Sequence, residues 1–302
     1  MRLILGSVIK NIAKHIPSFV KFCLTLQSLI EDFQICIYEN NSTDGTQETL
    51  DFLRDLGNHV HIKSETLDPE YILHKCKAWT WDRKPCRMEC IAVARNKLLA
   101  LIESVGYTDS DFVLMLDPDC DQFPDPIYIA SLLDSFPEDT DAIFANGLTI
   151  DNLGYYDCFA LRTSNNPVGP ELLGDSKYTS LEIQEPLKIY SGFGGAVLYR
   201  AYCLYNNKYS ALPTQELNTM NIELLKKHPQ ELPEVLTHSN GSLLGCYLFG
   251  LDSPFYRNNS GYAYPIVCEH STFHATLFCR GQGRFFIDPN FRYFSNHYRN
   301  ID

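Results

Sequence analysis

Along the first 120 residues, short apolar runs alternate with stretches whose apolar positions recur at helical spacing. "RLILGSVI" reads as a buried strand, "PSFVKFCLTLQSLI" as a helix, "FQICIYE" as a second strand, "TQETLDFLRDL" as a helix and "HVHIKSE" as a third strand. A helix around "CIAVARNKLLALIES" follows, and then the apolar strand "DFVLMLD". Strands alternating with helices of this length predict an α/β fold on a parallel sheet covered on both faces. Ligands collect at the carboxyl ends of such strands. Beyond residue 122 the pattern loosens. "DAIFANGLTI" and "AVLYRAYCLY" predict further elements, separated by long loops at about 151–189 and 205–242. Loops this long are more often functional than idle, and the Tyr and Phe they carry suit stacking on flat or sugar-like ligands.

Charge narrows the function. The 302 residues carry 25 Lys plus Arg against 37 Asp plus Glu, a formal charge of −12, which argues against a broad phosphate-tracking surface for nucleic acid. Any phosphate it binds must be held locally. The opening "MRLILGSVIKNIAKHIPSFV" is interrupted too soon for a signal segment or a membrane span, so no transmembrane segment is expected. Eleven cysteines, odd in number and without close CxxC pairs, lie mostly in apolar context, as reduced core thiols do; the expected location is cytoplasmic.

The run "DFVLMLDPDCDQF" (111–123) ends a buried strand with Asp117, Asp119 and Asp121. Like charges this close repel and raise one another's pKa, and a divalent cation removes the difficulty. Side chains at i and i+2 of an extended segment point the same way, so Asp117 and Asp119 can share one metal, with Asp121 as an auxiliary. The alternative is a solvated acidic turn, helped by Pro118 and Pro124. Upstream, "YENNSTDGT" (38–46) closes the second apolar run, and Asp44 or Thr46 can cap the helix that follows. Capping leaves Glu39, Asn40 and Asn41 unexplained. They emerge at the same sheet edge as the acids and can hydrogen-bond a base or ribose. Arg87 and Arg95, eight residues apart on one helix, fall within about 80° of each other and face one side. Arg87 suits a salt bridge or a substrate contact equally, whereas Arg95 is the better candidate for a diphosphate or base.

"ENNSTDGT", "ARNKLL" and "DFVLMLDPD", in that order and at these separations, resemble the nucleotide-sugar-binding half of GT-A glycosyltransferases. "YSGFGGAVLYR" (190–200) is similar to the glycine-bearing segment on the acceptor side of that fold, where Gly194 and Gly195 let a sugar approach the backbone. "CEHSTFHATLFCRGQGRFFIDPN" (268–290) is similar to the E-D or E-N helix start, the helix and the terminal strand of such enzymes. "FRYFSNH" ends in His297, similar to a histidine that serves as a further metal ligand in some members, the mucin-type N-acetylgalactosaminyltransferases among them. "YYDCFALR" (155–162) and "SGFGGAVLYR" also resemble a group of fungal, bacterial and viral enzymes related to capsule mannosyltransferases. The resemblance implies one GT-A domain over 1–302, with a Rossmann-like, mostly parallel sheet flanked by helices. Residues 1–121 would form the nucleotide-sugar-binding half and 122–302 the acceptor-binding, catalytic half.

Carried over by position, the resemblance places Glu39 at the base, where the family usually has Asp, with Asn41 and Asp44 beside it. Arg87, Arg95, Gly194 and Gly195 join the donor site. Asp117 would hold the ribose or a metal-bound water, Asp119 the metal, and His297 would complete the metal set. Glu269 would face the acceptor hydroxyl. Inverting members usually have Asp next, as general base; here His270 stands there and would act as a neutral base on the acceptor hydroxyl, and the stereochemical outcome stays open. In a retaining reaction Glu269 or Asp157 would orient donor and acceptor without a separate base. An imidazole in the shell suits Mn²⁺ better than Mg²⁺. The implied function is metal-dependent transfer of a sugar from a UDP- or GDP-linked donor to a hydroxyl of a glycan or other acceptor.

Two rivals remain. A sugar-nucleotide pyrophosphorylase should carry a Gly-rich basic loop near residue 10, where "GSVIKNIAKH" offers one glycine. A catalytically silent carbohydrate- or nucleotide-binding module is disfavoured by the intact D-x-D, Arg95 and His297. His274, four residues after His270, can form a metal clamp on a helix face, but its default is a hydrogen-bonded core residue. Trp79 and Trp81 read as packing or lid anchors.

Overall fold

Four apolar runs of the first half become strands β1 (Leu3–Ile9), β2 (Phe33–Asn40), β3 (Val60–Glu65) and β4 (Phe112–Leu116) in a computed structural model of the chain, and they pair in parallel in the order β3-β2-β1-β4. The structure describes residues 1–68, 87–149, 155–167, 183–229 and 267–295. Helix α1 (Ile16–Leu29) follows β1, the short α2 (Thr46–Thr49) and α3 (Asp51–Arg54) follow β2, and α4 (Arg87–Val105) precedes β4.

Alternate residues of each strand serve opposite faces. Leu3, Leu5, Ile35, Phe112 and Leu114 pack with Phe19 and Phe22 of α1, while Ile4, Cys36, Val113 and Met115 pack with Leu98 and Ile102 of α4. A strand covered on both faces needs an apolar residue at every position, which is why β4 reads FVLML. Deleting one such side chain, as in Leu114→Ala, costs about 2–5 kcal/mol.

The second half extends the same sheet. It adds β5 (Cys120–Gln122), α5 (Pro126–Asp134), β6 (Ala142–Thr149), β7 (Arg162–Thr163), β8 (Leu187–Ser191), β9 (Ala196–Arg200), α6 (Gln215–Lys227), α7 (Glu269–Cys279) and β10 (Phe285–Ser295). The full order is β3-β2-β1-β4-β9-β6-β10-β8-β7, with β5 pairing β10.

This corrects the expectation of a mostly parallel sheet. Strand β9 runs antiparallel to both β4 and β6, β8 and β5 run antiparallel to β10, and β7 runs antiparallel to β8, so the sheet is mixed. Periodicity identifies a strand but carries no direction. The α/β fold with helices flanking a central sheet stands. A second correction concerns the loop expected over 205–242, which contains α6. Thr214 caps it by accepting from Leu217 N (3.2 Å), and Leu217, Met220, Leu224 and Leu225 form its buried face. Among the described residues no helix is long and apolar enough to cross a membrane, and no cysteine is in a disulfide.

The order of strands positions the site. From β1 the chain moves outward to β2 and β3, then returns to place β4 on the other side of β1. The carboxyl ends of β1 and β4 therefore flank a topological switch point, where a crevice opens.

Candidate active site

A cleft of about 450 Å³ fills that crevice. The loop after β1 supplies Lys10, Asn11 and Ile12, β2 supplies Asn40, the first turns of α4 supply Arg87, Cys90, Ile91, Ala94 and Arg95, and the end of β4 supplies Asp117, Pro118 and Asp119. Arg87 and Arg95 share one face of α4, as their spacing requires. Of the expected donor and metal residues, the cleft gathers Arg87, Arg95, Asp117 and Asp119.

Of the two arginines, for which only Arg95 carried a definite expectation, Arg95 is the one that departs from it. Arg95 is buried at 5% exposure, and it makes the structural ion pair: Nη2 donates to Asp117 Oδ1 (3.2 Å) and Nε to Glu269 Oε1 (3.1 Å). Burial works against its charge, but Asp117 and Glu269 together raise its pKa and hold it protonated. Arg87 is exposed, as is Lys10, and neither has an ion-pair partner among the described residues. An exposed cation at a cleft is available to a ligand, whereas an enclosed one must be neutralised by the protein.

Burial pushes Asp117 up to about 7, against the lowering pull of Arg95 and with Asp119, Glu269 and Asp157 adding repulsion. Asp157 is pushed up to about 6, by burial first and then by Glu269, although the backbone N–H groups of Ala160 and Gly194 and the charge of Arg95 favour its ionised form. Three carboxyls, Asp117, Asp157 and Glu269, thus crowd around one guanidinium. Asp119 has no ion-pair partner among the described residues.

At the end of β2 only Asn40 reaches the cleft. Glu39 is fully buried and does not line it: Ser42 N (2.9 Å), Gln47 Nε2 (2.9 Å) and Ser64 Oγ all donate to its carboxylate, which organises the turn and leaves no edge turned toward a base. Asn41 clips the chain to Leu67 through both backbone groups. Asp44 accepts from Ala13 N (3.0 Å), Thr46 N (3.0 Å) and Thr46 Oγ1 (2.6 Å), while Gly45, at φ +88°, occupies the position before α2. Asn11 accepts from Thr43 N (2.8 Å), and Ile12 N donates to Thr46 Oγ1 (2.8 Å). The S-T-D-G-T stretch therefore stitches itself to the loop after β1 and holds Lys10 to Ile12 in the cleft wall.

The glycines are explained by the protein itself. Gly194 and Gly195 have φ of +62° and +83°, and a Cβ on them would overlap the Ala145 carbonyl and the Tyr293 ring respectively. The space a Cβ would occupy is filled by these groups, so close packing already requires glycine at both positions. On α7, His274 is a core residue: Ser191 Oγ lies 3.0 Å from Nδ1 and Tyr199 Oη 2.6 Å from Nε2. Burial, then Arg162, lowers its pKa to about 3. His270 is 2% exposed and stacks on Phe193 at 4.0 Å; among the described residues neither nitrogen makes a hydrogen bond, with Nε2 3.6 Å from Glu269 Oε1. Burial first, then Arg95 and His274, drives its pKa well below the usual imidazole value, so it is a neutral and weakly basic ring. His297, Trp79 and Trp81 lie outside the described residues.

Among the described residues no group of three or more His, Cys, Asp or Glu side chains is placed to hold a metal ion. They do supply two partly exposed carboxylates, Asp117 and Asp119, on one wall of the cleft. Such a donor set fits a hard divalent cation that keeps waters and takes its remaining oxygens from a phosphate. Lys10 was missed by sequence reading although a signal was present: it directly follows a parallel strand, at the carboxyl end where ligands collect.

A family model described as Cryptococcal mannosyltransferase 1 matches residues 3–227. No curated protein sequence matches the chain. Among solved structures, the chain is similar to S. aureus TarS, with 14% identity and a TM-score of 0.47, covering 98% of this chain and 37% of that one. It is also similar to mannosyltransferase PcManGT from Pyrobaculum calidifontis in complex with GDP-Man and Mn²⁺ (9% identity, TM-score 0.45, 99% of this chain and 58% of that one). A third is glucosyl-3-phosphoglycerate synthase from Mycobacterium tuberculosis in complex with Mg²⁺ and UDP (15% identity, TM-score 0.35, 77% and 66%). The chain thus spans between 37% and 66% of the length of these structures.

Proposed function

The chain belongs to the family described as Cryptococcal mannosyltransferase 1, and from that premise we propose that it is a metal-dependent glycosyltransferase of GT-A type. It would move a sugar from a nucleoside diphosphate to a hydroxyl of a glycan or another acceptor. The observation that carries this reading is the charge layout of the cleft, with Asp117 and Asp119 at one wall and, at others, Lys10 and Arg87, which have no ion-pair partner among the described residues. A cation alone would be repelled by the bases, and a phosphate alone by the acids. A cation joined to a diphosphate satisfies both.

Asp119 and Asp117 would hold the ion, with His297 as the third ligand in this reading. When bound, Mn²⁺ or Mg²⁺ stabilises the negative charge that grows on the departing diphosphate. Lys10 and the forked guanidinium of Arg87 bind phosphate oxygens. Arg95 is the shared counter-charge of Asp117 and Glu269 and keeps both in place. The base assignment passes from His270 to Asp157. A half-buried carboxyl at about 6 is ionised at neutral pH yet basic enough to take a hydroxyl proton, whereas the enclosed His270 is too weak a base. The family description favours mannose as the transferred sugar.

The test is release of nucleoside diphosphate from GDP-mannose and from UDP-linked sugars, with Mn²⁺ or with chelator, in the presence and absence of methyl mannoside. Mn²⁺-dependent release from one donor is expected. Nucleotide binding without release from any donor would favour the silent binding module, and pyrophosphate-dependent formation of a nucleoside triphosphate would favour the pyrophosphorylase.

A further inference from the structure

The main chain where β4 ends is held from three directions. Ser7 Oγ of β1 donates to the Leu116 carbonyl (2.8 Å), Asp117 N donates to the Gly195 carbonyl (2.9 Å), and Tyr293 Oη of β10 donates to the Asp117 carbonyl (3.0 Å). Three residues on, Cys120 pairs with Ser295 of the same strand, β10. Asp117 N belongs to the peptide plane before its Cα and Asp117 O to the plane after it. Each residue has only two soft backbone dihedrals, so fixing both planes fixes the direction in which the Asp117 side chain leaves the chain.

Tyr293 has a particular place in this arrangement. The Asp117–Pro118 peptide has no N–H, so its carbonyl is the only group through which a hydrogen bond can hold that plane. Pro118 confines Asp117 to extended conformations, and the Tyr293 hydroxyl selects among them. The ring itself is 1% exposed and covers Gly195, the residue whose carbonyl holds the other plane. It also stacks on Tyr156 (6.2 Å, 25°), the neighbour of Asp157. One side chain therefore touches both clamps on Asp117 and the turn that carries the second crowded carboxyl.

We propose that Tyr293 is a positioning residue of the cation site, setting the Asp117 carboxylate through its main chain. This rests on the reading of Asp117 as a cation-holding residue. Tyr293→Phe keeps the ring over Gly195 and removes only the hydroxyl, so it separates positioning from packing.

The experiment titrates Mn²⁺ into the full chain with saturating GDP or UDP, reading free Mn²⁺ by electron paramagnetic resonance. Tyr293→Phe is expected to weaken Mn²⁺ binding about 3- to 10-fold, the effect of one lost neutral hydrogen bond. The Mn²⁺ concentration for half-maximal nucleoside diphosphate release should rise by the same factor, with the rate at saturating Mn²⁺ within about twofold of wild type. The control is Tyr199→Phe, which removes a core hydroxyl bonded to His274 and lowers thermal stability without touching the β4 end. If both variants shift Mn²⁺ affinity alike, the effect is general loosening and the proposal is overturned. Unchanged affinity in Tyr293→Phe, with wild type binding normally, overturns it while leaving the proposed function in place. A wild-type chain that binds no Mn²⁺ with either nucleotide removes the functional reading and this inference together.

Discussion

The cleft wall formed by the ends of β1 and β4 and the buried start of α7 meet at Arg95 and follow opposite rules. On the cleft side, Lys10, Arg87 and Asp119 are exposed or half-exposed and have no ion-pair partner among the described residues. On the α7 side, Glu269 at 3% exposure is paired with Arg95, and both nitrogens of His274 meet hydroxyls. A charge near water costs little to leave unpaired and can be reserved for a ligand, whereas an enclosed one must be partnered by the protein. Arg95 lies on the boundary and is committed to the inside. His270 stays within the rule by being neutral, although enclosed and without a hydrogen bond to either nitrogen among the described residues.

The largest effect should come from removing the boundary residue. Arg95→Leu leaves Asp117 and Glu269 without their shared counter-charge and should cost about 3–5 kcal/mol in urea unfolding. Arg87→Leu, on the same helix face, should change stability by less than about 0.5 kcal/mol while weakening nucleotide binding. Equal stability losses would erase the distinction drawn between the two arginines.

Asp157 comes next. As the base it must be ionised, so kcat/KM should rise with pH through about 6 and level off above. Asp157→Asn should abolish that step and lower turnover by about 10²- to 10⁴-fold; a retained step would assign the base elsewhere. The sign for stability is opposite. Its folded pKa lies above the ordinary 3.8, so between 3.8 and about 6 the native state holds a proton that the unfolded chain has lost. The stability this group contributes is complete below 3.8 and is lost as the pH rises through about 6. Asp157→Asn should flatten that part of the stability profile.

The smallest effects set two histidines one helical turn apart against each other. His270→Phe removes two buried nitrogens that make no hydrogen bond and should stabilise by about 1 kcal/mol. His274→Phe strands the hydroxyls of Ser191 and Tyr199 and should destabilise by about 1–3 kcal/mol. Equal signs in thermal unfolding would mean that hydrogen-bond satisfaction does not distinguish the two positions.

Much of the first half was legible because local pattern determines it. A strand covered on both faces must be apolar throughout, so β1, β2 and β4 stood out, and α4 was set by its helical spacing. The direction of β9 was not legible, because sheet partners are chosen by distant parts of the chain. Helix α6 had a readable signal in Thr214 and the spacing of Leu217, Met220, Leu224 and Leu225, but it sat between stretches rich in Pro and Asn. The acids at the end of β4 could be read as a site because their crowding demands a cause. Glu39, Asp44 and Gly195 could be read as special positions, but whether each faces a ligand or the protein depends on neighbours distant in sequence, such as Ser64, Ala13 and Tyr293.

A cation and a diphosphate seated together at the end of β4 are tested most directly by calorimetric titration of GDP and UDP, with and without Mn²⁺, into wild-type and Asp119→Ala protein. One nucleotide should bind wild type at least about tenfold tighter with Mn²⁺, which is about 1.4 kcal/mol. That gain should vanish in Asp119→Ala while its unfolding midpoint is retained. An Asp119→Ala protein that keeps the full Mn²⁺-dependent gain would contradict the assignment.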